Sequence, residues 1–131
     1  MELNETTIAL NNAELHEQFA AHVEVLLKPG ADVLAELDEF KANLIHLALG
    51  VAGEAGELLD AVKKHTMYGK ELDVTNIVEE LGDLEFYLQG IRTQLHLSRE
   101  ITLVSNIVKL SHRYPNGYSN AAAIARKDKA E

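Results

Sequence analysis

The stretch GVAGEAGELLDAVKK, residues 50–64, has the apolar spacing of an α-helix, although it contains three glycines. Each glycine inside a helix costs about 1 kcal/mol relative to alanine. The glycines recur at every third position and two glutamates follow the same spacing: Gly50, Gly53 and Gly56, with Glu54 and Glu57. Because residues three apart share one helix face, the two carboxylates are expected to project together beside a bare backbone.

A second stretch, VEELGDLEFYL at residues 78–88, repeats the arrangement, with Glu80 and Asp83 three residues apart around a glycine. Both acidic pairs border apolar stripes, so packing of the two stripes would bring four carboxylates to one end of the contact. The glycines, Gly50, Gly53, Gly56 and Gly82, are expected to let the two helix backbones approach closely there.

Four converging carboxylates repel one another, and a hard divalent cation relieves that repulsion. An all-oxygen ligand set favours Mg²⁺ or Mn²⁺. The simpler interpretation is an acidic, solvated helix face, which would be typical of a single E-x-x-E pair. A di-iron carboxylate site is disfavoured, because no histidine follows a glutamate by three residues as that type of bundle requires.

The other apolar positions also recur with a helical period, and the alternation typical of strands is absent. Pro29-Gly30 is expected to end a first helix over residues 12–28. A long apolar pattern then continues to His65, as one helix or as two broken near Lys41. The candidate N-caps of the later helices are Asp32, Asp73 and Ser98.

Two turns and a short tail complete the pattern. Gly69 is the expected turn residue before the second acidic helix, and Tyr114-Pro115-Asn116-Gly117 is typical of a tight turn. The tail SNAAAIARKDKAE is a short helix or partly ordered. The sequence therefore predicts an all-α helical bundle of four to five helices, with residues 1–131 as a single domain.

Composition narrows the class of protein. The 131 residues are 47% apolar and contain no cysteine, which excludes disulfide scaffolds and thiolate metal sites and fits a cytoplasmic location. A formal net charge of −9 opposes broad contact with nucleic acid. No apolar run is long enough for a membrane span, and the acidic N-terminus is unlike a secretory signal.

A metal site of this kind typically receives phosphates, which need hydrogen-bond donors nearby. The candidate substrate-binding residues follow the acidic pairs or form a polar stripe near the C-terminus: Lys64, Tyr87, Asn106, Lys109 and Arg113. Each one alone is typical of a solvated surface. For the nucleobase the candidates are only Phe40, His46 and Tyr68, of which His46 is expected in the core or lining a pocket.

These motifs resemble those of the MazG-like all-α nucleoside triphosphate pyrophosphohydrolases, whose signature is E-E-x-x-E followed, a loop later, by E-x-x-D. Gly53 replaces the first glutamate of the signature. The other positions match Glu54, Glu57, Glu80 and Asp83. The segment KLSHRYPNGYS, residues 109–119, is similar to the K-L-x-x-R-Y-P segment of many small members, and the resemblance covers residues 44–119.

The resemblance implies hydrolysis of a nucleoside triphosphate between its α- and β-phosphates, giving a monophosphate and pyrophosphate. The four acidic residues would hold Mg²⁺ and act in catalysis, with one glutamate helping a water to attack in line. The five polar and basic candidates named above would neutralise phosphate charge. The absence of the first glutamate implies either one fewer metal ligand or a different general base.

Members of the family form dimers or tetramers, and the active site often borrows residues from a neighbouring subunit. Independently, a few helices of this length would leave apolar faces exposed, so a homo-oligomer is expected. A phosphoribosyl-ATP pyrophosphohydrolase is the alternative within the same chemistry, although RYPNGYS at residues 113–119 favours the branch that cleans the nucleotide pool. The alternative from another class is a non-enzymatic helical module whose acidic stripes bind a basic partner.

Overall fold

The computed structural model describes residues 12–129, which fall into two compact units, one before residue 39 and one from Glu39 onward. The N-terminal segment that is unlike a secretory signal lies mostly outside the described residues. The described part of the chain is helical and contains no β-strand, which confirms the all-α prediction. None of its helices combines the length and apolar character that crossing a membrane requires.

The first unit contains helix α1 (Asn12–Leu26) and the short helix α2 (Gly30–Glu36). Pro29, not Asp32, is the N-cap of α2, because the helix starts two residues before the predicted cap and leaves Asp32 in its first turn. The Asp32 prediction is therefore wrong. Leu37 is extended and ends α2, so the long apolar pattern is interrupted at residues 37–38.

The second unit contains the helices α3 (Glu39–Tyr68), α4 (Val74–Gln94), α5 (Arg99–Arg113) and α6 (Asn120–Ala125), followed by a 3₁₀ turn (Lys127–Lys129). Two predicted caps are confirmed. The Asp73 carboxylate accepts a hydrogen bond from the Asn76 N–H at 3.0 Å, and the Ser98 hydroxyl accepts one from the Ile101 N–H at 3.2 Å. The predicted terminal helix is α6.

Both predicted turns are present. Gly69, with a φ of +65°, follows α3 in the left-handed region, where a side chain would be strained. In the second turn the Gly117 N–H donates to the Tyr114 carbonyl at 3.1 Å, and the φ of Gly117 is +85°.

Helices α3 and α4 form an antiparallel hairpin, which is the most extensive packing contact in this unit, while α5 packs on α6 and on the 3₁₀ turn. Few side chains are buried. Among the described residues Ala61 is the only buried apolar one and Arg92 the only buried polar one. No large side chain between residues 12 and 129 is fully buried, so a single chain has almost no core of its own.

Candidate active site

Three of the four predicted acidic residues meet where α3 crosses α4. Glu54 of α3 and Glu80 and Asp83 of α4 each offer a carboxylate oxygen, and these oxygens lie within 4.8 Å of one another. Glu54 and Glu80 are half-buried, whereas Asp83 is exposed. We call these three residues the acidic cluster. Glu57, one turn along α3, lies outside it in this structure but acts on it electrostatically.

Electrostatics in the cluster act against ionisation. Partial burial raises the pKa of Glu80 above its usual value, and the charges of Glu57, Glu54 and Asp83 raise it further. A hydrogen bond with Glu54 acts in the same direction. The protein therefore holds these carboxylates together against their mutual repulsion.

The donor set fits a hard divalent cation. Carboxylate oxygens from two helices lie close enough together to share one ion, and such an ion would reverse the electrostatic penalty at Glu80. Oxygen ligands of this kind suit Mg²⁺ and Mn²⁺.

Glycine does allow close helix approach, but mostly not at the predicted positions. A Cβ atom on Gly50 would lie 2.2 Å from the Tyr87 ring, so the bare backbone there is required. Added Cβ atoms on the other three glycines, Gly53, Gly56 and Gly82, would meet nothing within 4 Å. The prediction is confirmed for Gly50 and wrong for those three, because an added Cβ would find open space at each of them.

A second close approach, at Gly90, is absent from the sequence-based prediction. A Cβ atom on Gly90 would lie 2.5 Å from the Leu47 side chain. The sequence signal that could have identified it is the same as for Gly50, namely a glycine inside a helical apolar pattern. Gly90 lies three residues after Tyr87, on the same helix face. The tight contacts between α3 and α4 therefore lie one and two helical turns from the acidic cluster.

Tyr87, a predicted substrate-binding residue, is half-buried one turn beyond Asp83. Its ring makes edge-to-face contacts with His46, at 6.3 Å between centroids, and with Phe86, at 5.2 Å. These contacts and the Gly50 backbone fix the ring beside the cluster. His46 lies next to Tyr87 and is exposed, so the expectation of a position in the core is wrong.

Lys64 lies on α3 beyond Glu57 and forms an ion pair with Asp60 at 2.7 Å. The hydrogen bond from Lys64 to Asp60 raises the pKa of the lysine, and the Glu57 charge contributes in the same direction. Lys64 is therefore a permanent cation near the acidic side chains of α3.

The other three predicted residues, Asn106, Lys109 and Arg113, lie on α5. Among the described residues no hydrogen bond or ion pair joins them to the acidic cluster. Arg113 instead donates two hydrogen bonds of 2.5 Å to the two carboxylate oxygens of Asp128 in the 3₁₀ turn. This pair lowers the pKa of Asp128 to about 2. No local pattern in the sequence predicts the pairing, because the two residues are far apart along the chain.

Comparison with known proteins gives one finding. The family model described as the MazG nucleotide pyrophosphohydrolase domain matches residues 43–118, more than half of the chain. The matched range contains all nine predicted site residues. No curated protein and no solved structure matches the chain.

Proposed function

The chain belongs to the MazG nucleotide pyrophosphohydrolase family, and from that premise we propose that it hydrolyses nucleoside triphosphates between the α- and β-phosphates in a Mg²⁺-dependent reaction. The products are a nucleoside monophosphate and pyrophosphate. The observation that carries the proposal is the acidic cluster, in which three carboxylates from two helices lie within reach of one cation. The physiological role that we propose is removal of unwanted nucleotides from the cytoplasmic pool.

In the proposed mechanism, Glu54, Glu80 and Asp83, with Glu57 completing the set, would hold the cation. A cation held there would supply neutralisation of phosphate charge and polarisation of the phosphorus centre. A water oxygen forms a bond to phosphorus as the bridging P–O bond of the α–β anhydride breaks. One carboxylate of the set accepts the water proton, and the bridging oxygen leaves with one of the two products.

Positive charge and neutral hydrogen-bond donors for the phosphates come from two places in this proposal. Lys64 projects from α3 near Glu57, and Tyr87 offers a hydroxyl one turn from Asp83. Asn106, Lys109 and Arg113 are on α5, for which we propose that a second copy of the chain supplies the contact with the cluster. The exposure of large apolar side chains on α5, Ile107 and Val108 among them, supports such a homo-oligomer, a dimer or a tetramer.

Product analysis tests the function directly. The protein is incubated with Mg²⁺ and a panel of standard and modified nucleoside triphosphates, and the products are separated by chromatography. Monophosphate plus pyrophosphate is the expected result, and it ranks the substrates at the same time. Diphosphate plus orthophosphate would contradict the proposed bond cleavage. If no product forms with either Mg²⁺ or Mn²⁺, phosphoribosyl-ATP is the next substrate to test. Absence of hydrolysis of phosphoribosyl-ATP as well would favour a non-enzymatic acidic module.

A further inference from the structure

A cavity of about 450 Å³ lies along the α3–α4 hairpin, away from the acidic cluster. Its lining is Leu47, Phe86, Gln89, Gly90, Thr93 and Gln94. A neighbouring cavity of about 570 Å³ shares Thr93 and Gln94 and extends to Phe40. We call the two together the hairpin groove.

The groove lies at a defined distance from the cluster. Leu47 is seven residues before Glu54 on α3, and Gly90 is seven residues after Asp83 on α4. Seven residues are nearly two helical turns, so in each helix the groove residue and the acidic residue share one face, about 10 Å apart along the axis. A ligand whose phosphates lie at the cluster would therefore have its far end at the groove.

The lining is suited to a flat, uncharged, hydrogen-bonding ligand. Phe86 is 69% exposed, and its ring offers a stacking surface. Gln89 and Gln94 carry amides that can both donate and accept, and Thr93 adds a hydroxyl. Within residues 12–129 the Gln89 amide makes two long hydrogen bonds, 3.3 Å to Thr93 and 3.4 Å from Arg92. Its amide can therefore exchange these partners for a ligand at little cost.

We propose that the hairpin groove is the nucleobase subsite of the enzyme, in which the base stacks on Phe86 and its polar edge is read by Gln89 and Gln94. This inference rests on the proposed function, because the position of the base follows from placing the phosphates at the acidic cluster. The ribose and the α-phosphate then lie between the hairpin groove and the acidic cluster, beside Tyr87.

The test compares a nucleotide with inorganic tripolyphosphate, which carries the phosphates without a base. In Phe86→Ala the KM for the preferred nucleoside triphosphate should rise about tenfold or more, since stacking on an aromatic side chain supplies that much affinity. Inhibition by Mg²⁺–tripolyphosphate should stay unchanged. Phe19→Ala is the matched control, because the Phe19 side chain is similarly exposed, at 64%, and should leave both values as in the wild type.

A second variant tests recognition of the nucleobase by hydrogen bonds, and it remains informative even if Phe86→Ala does not fold. Gln94→Leu preserves the size of the side chain but removes its hydrogen bonds, so it should change the ratio of kcat/KM between bases. Circular dichroism verifies the fold of each variant. The subsite would be overturned if Phe86→Ala weakened the binding of nucleotide and of tripolyphosphate equally and Gln94→Leu left the kcat/KM ratios between bases unchanged. The proposed pyrophosphohydrolase activity would still stand in that case. A wild-type protein that turns over no nucleotide would overturn both.

Discussion

Glu80 is the residue at which the cost of the acidic cluster is concentrated. Its pKa is raised by burial and by three neighbouring carboxylates. The folded protein therefore holds the Glu80 proton more tightly than the unfolded chain does. Stability contributed by this group is lost as the pH rises from about the usual glutamate value through the raised one. Above that pH range, in the absence of metal, Glu80 weakens the fold.

Replacement of Glu80 by glutamine should therefore maintain or raise the stability of the metal-free protein. It should also abolish stabilisation by Mg²⁺, which in the wild type amounts to about 2.7 kcal/mol when the ion is present at 100 times its Kd. Urea unfolding with and without Mg²⁺ measures both effects. The control is Glu79→Gln, which removes the same charge from the neighbouring exposed position. A Mg²⁺ response that persists in Glu80→Gln would contradict the assignment of Glu80 as a ligand.

Asp128 provides a second prediction, this time in acid. Because Arg113 lowers the pKa of Asp128 to about 2, their pair stabilises the fold above the usual aspartate pKa and loses that effect as the pH falls towards 2. Asp128→Asn should therefore be less stable than the wild type near pH 6, and the two should converge near pH 2. Thermal unfolding across this pH range measures the difference.

The control for that series is Asp60→Asn, which breaks the pair between Asp60 and Lys64. Both of those side chains are about half exposed, whereas the Asp128 side chain is 1% exposed. Solvent screens an exposed pair, so the effect of Asp60→Asn should be smaller. An equal or greater loss of stability in Asp60→Asn would contradict the importance assigned to the Arg113 pair.

Comparison of these residues shows which parts of a site a sequence can predict. Glu54, Glu80 and Asp83 could be identified because their spacing and their apolar neighbours place them on facing helix stripes. The Asp128–Arg113 pair could not, because it depends on the path of the chain through α6 and the turns beside it. Local periodicity contains no information on that path.

The hairpin of α3 and α4 is the element that positions the cluster, and its two kinds of glycine should respond in opposite ways. Gly50→Ala should destabilise the protein by about 1–3 kcal/mol, because the added Cβ overlaps the Tyr87 ring. Gly53→Ala should stabilise it by up to about 1 kcal/mol, because alanine favours the helix and the site has room. Urea unfolding of both variants gives the comparison. Destabilisation of equal size at both positions would contradict the packing described here.

That contrast explains why the sequence predicts the helices better than their contacts. Apolar period and capping residues locate α4 and α5, since these signals act within one or two turns. The rotation of one helix against another depends on side chains from both. Gly50, Gly53 and Gly56 recur at the same spacing, but only an added Cβ on Gly50 would overlap a neighbour. At Gly53 and Gly56 no atom lies within 4 Å of the added Cβ, so the packing does not require glycine there.

For the whole molecule, the all-α class follows from the sequence because almost every apolar pattern has the helical period. The small number of predicted helices also indicates that apolar faces stay exposed in a single chain, and in the described part of the chain Ala61 is the only buried apolar residue. The number of copies that assemble depends on surface shape, which periodicity does not describe.

We therefore expect the protein to sediment as a dimer or tetramer rather than as a 14.5 kDa monomer. Large apolar side chains on α5, among them Ile107 and Val108, are each 63% exposed in one chain, and a partner copy would cover them. Ile107→Glu should shift the protein towards the monomer and lower its stability, because an obligate oligomer has no stable separate subunit. Thr66→Glu adds the same charge at an exposed polar position and should leave the assembly intact. Sedimentation velocity at two concentrations makes the comparison. A stable wild-type monomer that retains full activity would contradict the assembly, and with it the contribution of α5 from a second copy.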